Sequence, residues 1–259
     1  MPVVTAAQLE SWIGSAFWPF VRIGACLMVA PLFGASYLPR RLRIVVALAL
    51  TVVLLPVIPA PTSLTLLSAD GFVTTAQQVI IGVAMGFVLQ LMFDALTLGG
   101  QLLANAMGLG FALTVDPLRA VTTQSLGQLY VLLGTLTFLA LNGHIALIET
   151  LAASFRTLPI GTQGLSPAAL HALANWGSVM LLGAVRIALP GLTALLVINL
   201  GFGVTSRAAP ALNLFAIGFP ITLVIGMLVV LLGLPSMQRG LIEMLGSAFQ
   251  FIGALVGTR

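Results

Sequence analysis

"FWPFVRIGACLMVAPLFG", residues 17–34, contains no acidic residue, a single basic one at Arg22, and two helix breakers, Pro19 and Pro31. A run of about 20 apolar residues matches the thickness of a hydrocarbon core. The prolines and the arginine do not suit a helix bathed in lipid, where each unpaired backbone group costs several kcal/mol. The stretch therefore reads as a membrane-embedded helix that is surrounded by other protein or lines a cavity.

The same pattern recurs along the chain. Apolar runs fall at roughly 12–35, 42–60, 72–98, 127–155, 175–203 and 212–235. Of the 259 residues, 59% are hydrophobic and 6% charged, with a mean hydropathy of +1.16; in soluble domains about a quarter of residues are charged. The expected fold class is an all-α integral membrane protein, a single polytopic domain over residues 1–259. Nothing basic precedes Arg22 and Pro19 interrupts the first run, which is not the pattern of a cleavable signal peptide. Thr5 and Gln8 have capping-box spacing for a helix start.

Short links carry turn residues: Pro39, the Pro56/Pro59/Pro61 cluster, Pro159 with Gly161, Arg207 to Pro210, and Pro235. Ser166-Pro167 reads as an N-cap followed by proline at the first helical position. Residues 240–257 are apolar but hold Glu243, Ser247 and Gln250, and read as a separate interfacial or partner-packed helix. Pro190 and Pro220 fall inside runs, as Pro19 and Pro31 do, and are expected to break or bend them.

All ten basic residues are arginines. Arg40, Arg41 and Arg43 form the dense basic link, which the positive-inside rule places on the cytoplasmic side. Alternation then puts five arginines inside (40, 41, 43, 119, 207) and three outside (156, 239, 259). No cluster could neutralise several phosphates, so nucleic acid is not a partner. Arg22, Asp94, Glu149 and Arg186 lie inside apolar runs. They are structural ion pairs or snorkelling side chains, or else a polar path or subunit contact; sequence does not say which arginine meets which acid. Gly82 and Gly86 have the small-xxx-small spacing of close helix contacts, and Gly226 and Gly233 fall nearly on one face.

Catalytic constellations are absent. His144 and His171 make no zinc motif, Asp94 and Asp116 have no protease-type flanks, and Ser178 has no partnered histidine nearby. Cys26 sits alone in an apolar run and reads as a buried hydrophobe. No enzyme, metal or cofactor is expected. A secondary transporter would show an internal repeat with matching breaks, and none is evident. A subunit of a channel assembly better explains "NAMGLGFALTVDP", residues 105–117, since an apolar constriction gates a pore by excluding water. In that segment Leu109, Phe111, Leu113 and Val115 would seal, Gly108 and Gly110 would permit movement, and Asp116-Pro117 would stop the helix.

Six phrases in order, "FWPFVRIGACLMVAPLFG" (17–34), "LPRRLRI" (38–44), "IGVAMGFVLQL" (81–91), "MGLGFALTVDP" (107–117), "LNGHIALIETLAASFRTLPIG" (141–161) and "RAAPALNLFAIGFPITLVIGM" (207–227), give the chain a resemblance to the FliR family of type III secretion export-gate subunits. The virulence-system members share that architecture; the 107–117 and 207–220 wording resembles the flagellar branch. The resemblance implies bent helical hairpins in a multi-subunit helical gate built with FliP and FliQ, contacted by FlhB. FlhA, the basal-body ring, membrane lipid and exported flagellar proteins in transit are the further partners implied, in the bacterial inner membrane. It also implies a pore plug within residues 105–123, carried onto Met107, Gly108, Leu109, Gly110, Phe111, Ala112, Leu113, Thr114, Val115, Asp116 and Pro117, and extending over Leu118 to Thr123.

Overall fold

The computed structural model describes residues 6–34, 38–59, 66–109, 125–208 and 214–257. Among these, every regular element is helical: α1 (Ala6–Val29), α2 (Arg40–Leu54) with a 3-10 turn (Leu55–Val57), α3 (Ala69–Ala106), α4 (Ser125–Ala140), α5 (Gly143–Thr157), α6 (Pro167–Ala208) and α7 (Leu214–Val256). Thr5 lies outside the described residues, so its capping role cannot be placed.

Helix ends follow local chemistry. α3 opens with Ser68, whose Oγ accepts the Gly71 N–H at 3.1 Å, and carries Asp70 in its first turn, where the helix dipole favours an acid. α6 opens as the sequence suggests, with Pro167 first and Ser166 Oγ accepting the Ala169 N–H at 3.1 Å. After α1, the Gly34 N–H reaches back to the Ala30 carbonyl at 2.8 Å. A Cβ on Gly34 would lie 2.7 Å from the Met28 oxygen, so only glycine fits that return. Between α4 and α5 the run expected at 127–155 breaks at Asn142, which sits in the left-handed region at φ 56, a conformation asparagine tolerates.

Among the described residues three helices are long and apolar enough to cross a membrane: α3, α6 and α7; the broken α4/α5 pair makes a fourth if counted as one span. Of the six expected crossings, these four are matched in length and composition among the described residues. The first run gives the 24-residue α1, the second stops at Leu54, and the sixth merges with the tail expected as a separate helix into one 43-residue α7. Pro19, Pro190, Pro220 and Pro235 all lie inside helices that continue. Each proline removes one hydrogen bond at about 3 kcal/mol, but ending the helix in apolar surroundings would expose several more backbone groups. Of the expected breaks Pro19, Pro31, Pro190 and Pro220, Pro31 alone follows a helix end, two residues past Val29.

Two compact units form. The first comprises residues 1–91, 139–177 and 245–259. Its core holds Trp18, Ile23, Cys26 and Leu27 from α1, Ile81, Met85 and Leu89 from α3, and Leu147, Leu151 and Phe155 from α5. α1 and α3 cross with backbones almost touching: a Cβ on Gly82 would collide with the Arg22 carbonyl, and one on Gly86 would lie 2.5 Å from the Cys26 oxygen. The small-residue spacing read from sequence is used here. Trp176 stacks on Phe251 at 4.1 Å between centroids, tying the start of α6 to the end of α7.

The second unit comprises residues 92–138 and 178–244. α3 and α4 meet where Gly100 faces Gly127, with 2.7 Å between a Gly100 Cβ and the Gly127 Cα, and Phe93 meets Phe138 edge to face at 5.8 Å. Gly226 of α7 receives the Met107 side chain, whereas Gly233 has nothing within 4 Å. The two glycines grouped on one face thus have different surroundings.

Candidate functional site

Trp18, Arg22 and Cys26 recur at four-residue spacing on α1, so helical periodicity points all three at the core. All are buried, and Arg22 is 0% exposed. A buried guanidinium is costly unless its donors find acceptors. Nε donates to Gln78 Oε1 at 2.8 Å, one terminal nitrogen donates to the Ser154 carbonyl at 3.0 Å and its Oγ at 3.1 Å, and the other donates to the Leu158 carbonyl at 2.9 Å. The cation also lies 4.3 Å from the Phe155 ring centroid, an attraction worth about 2 kcal/mol when desolvated.

Ser154 and Leu158 carry terminal carbonyls of α5, where the helix dipole places about half a negative charge. Arg22 is thus a C-terminal cap delivered from another helix, and it joins α1, α3 and α5. None of its hydrogen-bond partners is an acid, so the ion pair left open by the sequence is replaced here by helix-end carbonyls, an amide and a hydroxyl. Gln78 and, one turn away on α3, Thr74 are fully buried; Thr74 Oγ1 and Gln78 Nε2 have no hydrogen-bond partner. Gln78, Ser154 and Phe155 were not legible as site residues. The available signal was a polar i, i+4 pair, Thr74 and Gln78, within an apolar run.

The other charges in apolar runs are not gathered around Arg22. Asp94 is half-buried, while Glu149 and Arg186 are exposed. Arg40, Arg41 and Arg43 do not form a link but occupy the first turn of α2, with no acid in that turn and no side-chain cap. Three positive charges there face the positive end of the helix dipole, which calls for water or anions around them; Arg40 and Arg41 are exposed.

At the end of α3 the apolar segment begins as a fixed structure. The Gly108 N–H donates to the Asn105 carbonyl at 3.0 Å and the Leu109 N–H to that of Ala104 at 3.0 Å, with Gly108 at φ 80. This bond pair with left-handed glycine is a Schellman cap. Gly108 therefore stops α3. Met107 is 3% exposed, and its side chain would be 2.6 Å from a Cβ on Gly226. Asn199 Nδ2 donates to the Ala106 carbonyl at 3.4 Å. Gly110, Phe111, Ala112, Leu113, Thr114, Val115, Asp116 and Pro117, and residues 118–123, lie outside the described residues.

Comparison with known proteins covers nearly the whole chain. Residues 13–254 match the family described as bacterial export proteins, family 1. The chain is similar to the flagellar biosynthetic protein FliR of Escherichia coli (strain K12), 38% identical over 223 residues, which is 86% of this chain and 85% of that protein. It is similar to the protein of that name from Pectobacterium carotovorum, 38% identical over 228 residues, 88% of this chain and 87% of the other. The Aquifex aeolicus protein of the same name is 31% identical over 227 residues, 87% of each chain.

Proposed function

The chain belongs to the bacterial export proteins, family 1, and from that premise we propose that it is a structural, pore-forming subunit of the flagellar type III export gate. It is a membrane-embedded component of the flagellar export apparatus. In the proposed reading it assembles with FliP and FliQ, is contacted by FlhB, adjoins FlhA and the basal-body ring in the inner membrane, and passes flagellar proteins without catalysing a reaction. Its contribution to closure is the apolar segment 107–117, which occludes the channel. Residues 118–123 continue the same plug.

The observation that carries the reading is the rooting of that segment. α3 stops in a Schellman cap at Gly108, and Met107 is held against Gly226. The described start of the segment, Met107 to Leu109, is thus rooted on a packed helix. That suits a stopper, since apolar side chains close a pore by excluding water. The exposed apolar surface of α6 and α7, including Leu196, Val197, Leu200, Leu231 and Leu232, is available to lipid and to the helices of other subunits alike.

Deleting residues 108–117 tests closure. The shortened chain, assembled in the export complex, should pass ions across the membrane at a rate well above that of the intact chain, read as loss of membrane potential or as single-channel conductance. Unchanged conductance in a complex of normal composition would sink the plug assignment.

A further inference from the structure

Arg186 sits near the middle of the long α6 helix and is exposed. Its neighbours on the same helical face, Leu182 and Leu189, are 50% and 51% exposed, and Val197 further along is 69% exposed. The buried face of α6 is the opposite one, with Ala184, Ile187, Ala188 and Leu195. Among the described residues Arg186 has neither a hydrogen bond nor an ion pair. A second polar group lies at the same residue: Pro190 has no N–H, so the Arg186 carbonyl four residues earlier loses its helical donor.

We propose that the α6 face centred on Arg186 docks a membrane-embedded helix of another subunit, and that this helix presents a carboxylate to the guanidinium. The inference rests on the export-gate reading and names the chemistry of one contact within it. Charge complementarity selects the occupant. Lipid tails satisfy neither the guanidinium nor the freed carbonyl. A lipid phosphate meets the guanidinium only where the side chain snorkels to a headgroup layer, and charge reversal separates that acceptor from a protein carboxylate, since only the carboxylate can be mutated to a base. A carboxylate accepts two parallel N–H bonds from arginine and neutralises it, while the flanking leucines and valine supply apolar area for the partner helix.

The contrast with Arg22 shows why this arginine needs another chain. Arg22 finds an amide, a hydroxyl and helix-end carbonyls within its own unit. Arg186 finds nothing there, yet it lies in an equally apolar run.

The test uses the full-length chain returned to a flagellated bacterium that lacks it, with export of flagellar proteins into the medium, swimming, chain abundance in the membrane and co-purification of other membrane subunits as readouts. Arg186→Leu and Arg186→Glu should lower export at least about tenfold at normal abundance, as expected for removing one member of a desolvated charge pair. Arg186→Lys, which keeps the charge, should retain much of it. Selection for restored swimming in the Arg186→Glu strain should yield acidic-to-basic changes in an apolar helix of a second subunit. Export equal to the intact chain in Arg186→Leu overturns the proposal, as does restoration solely by changes that reverse no carboxylate. Should Arg186→Glu fail to accumulate, Arg186→Gln takes its place: it keeps length and polarity, lacks charge, and must still lose export. If the unaltered chain restores no export or brings down no other membrane subunit, the export-gate reading fails; if it does both and Arg186→Leu does too, the docking proposal alone fails.

Discussion

Helix α3 and helices α6 and α7 are alike in length and in apolar character, but the most apolar window of α3 is 67% buried within the chain while those of α6 and α7 are 28% and 22% buried. Hydropathy records only that a segment avoids water. It does not record whether its neighbours come from the same chain, from another chain or from lipid. The two arginines sharpen the point: Arg22 is enclosed by its own fold, and Arg186 is left on the surface of a helix that leaves most of its apolar area uncovered.

The largest effect should come from opening the enclosed side. Arg22→Ala strands the Ser154 and Leu158 carbonyls and Gln78, and leaves a cavity under Phe155. A loss of about 3–5 kcal/mol is expected for breaking such a buried network, read as a lower unfolding temperature in detergent and reduced abundance. Arg22→Lys should recover part of this, because three donors cannot reproduce the five of guanidinium. Arg186→Leu should change the unfolding temperature of the isolated chain by no more than about 0.5 kcal/mol equivalent, as surface substitutions do. A large drop there would erase the contrast between the two arginines.

Next come the glycines. Gly82→Ala or Gly86→Ala pushes a methyl group into the α1 backbone, and overpacking of that kind costs about 1–3 kcal/mol. Gly233→Ala in α7 meets open space and should stabilise the isolated chain by up to about 1 kcal/mol through helix propensity. Opposite signs in thermal unfolding would bear out the difference between the two regions; equal losses would break it. Gly108→Ala should cost about 1–2 kcal/mol, since its left-handed backbone strains any residue with a Cβ. The accompanying readout is protection of the α3 end in hydrogen exchange, which should fall.

Much of the architecture was legible. Composition and run length led to an all-helical membrane protein, and Ser166-Pro167 marked the start of α6. Gly82 and Gly86 marked a close helix contact. The prolines misled, because Pro190, Pro220 and Pro235 look like breaks in a one-dimensional reading. Whether a proline ends a helix depends on what its surroundings would do with several freed backbone groups, and that is a property of packing. The site around Arg22 was half legible: the charge stood out, but its acceptors lie 56 to 136 residues away in sequence. Two of them are main-chain carbonyls, which no side-chain pattern reveals.

By itself the sequence determined that this chain avoids water along most of its length, that its helices approach closely at small residues, and that a few charges must be satisfied within apolar surroundings. Those are properties of residue type and spacing, which act locally. The tertiary structure decided that Arg22 is satisfied by the end of α5, that Gly108 stops α3, and that α6 and α7 remain largely uncovered within the chain. Each of these depends on which distant groups arrive together, because a hydrogen bond or a close packing contact acts over a few ångströms and takes no account of separation along the chain.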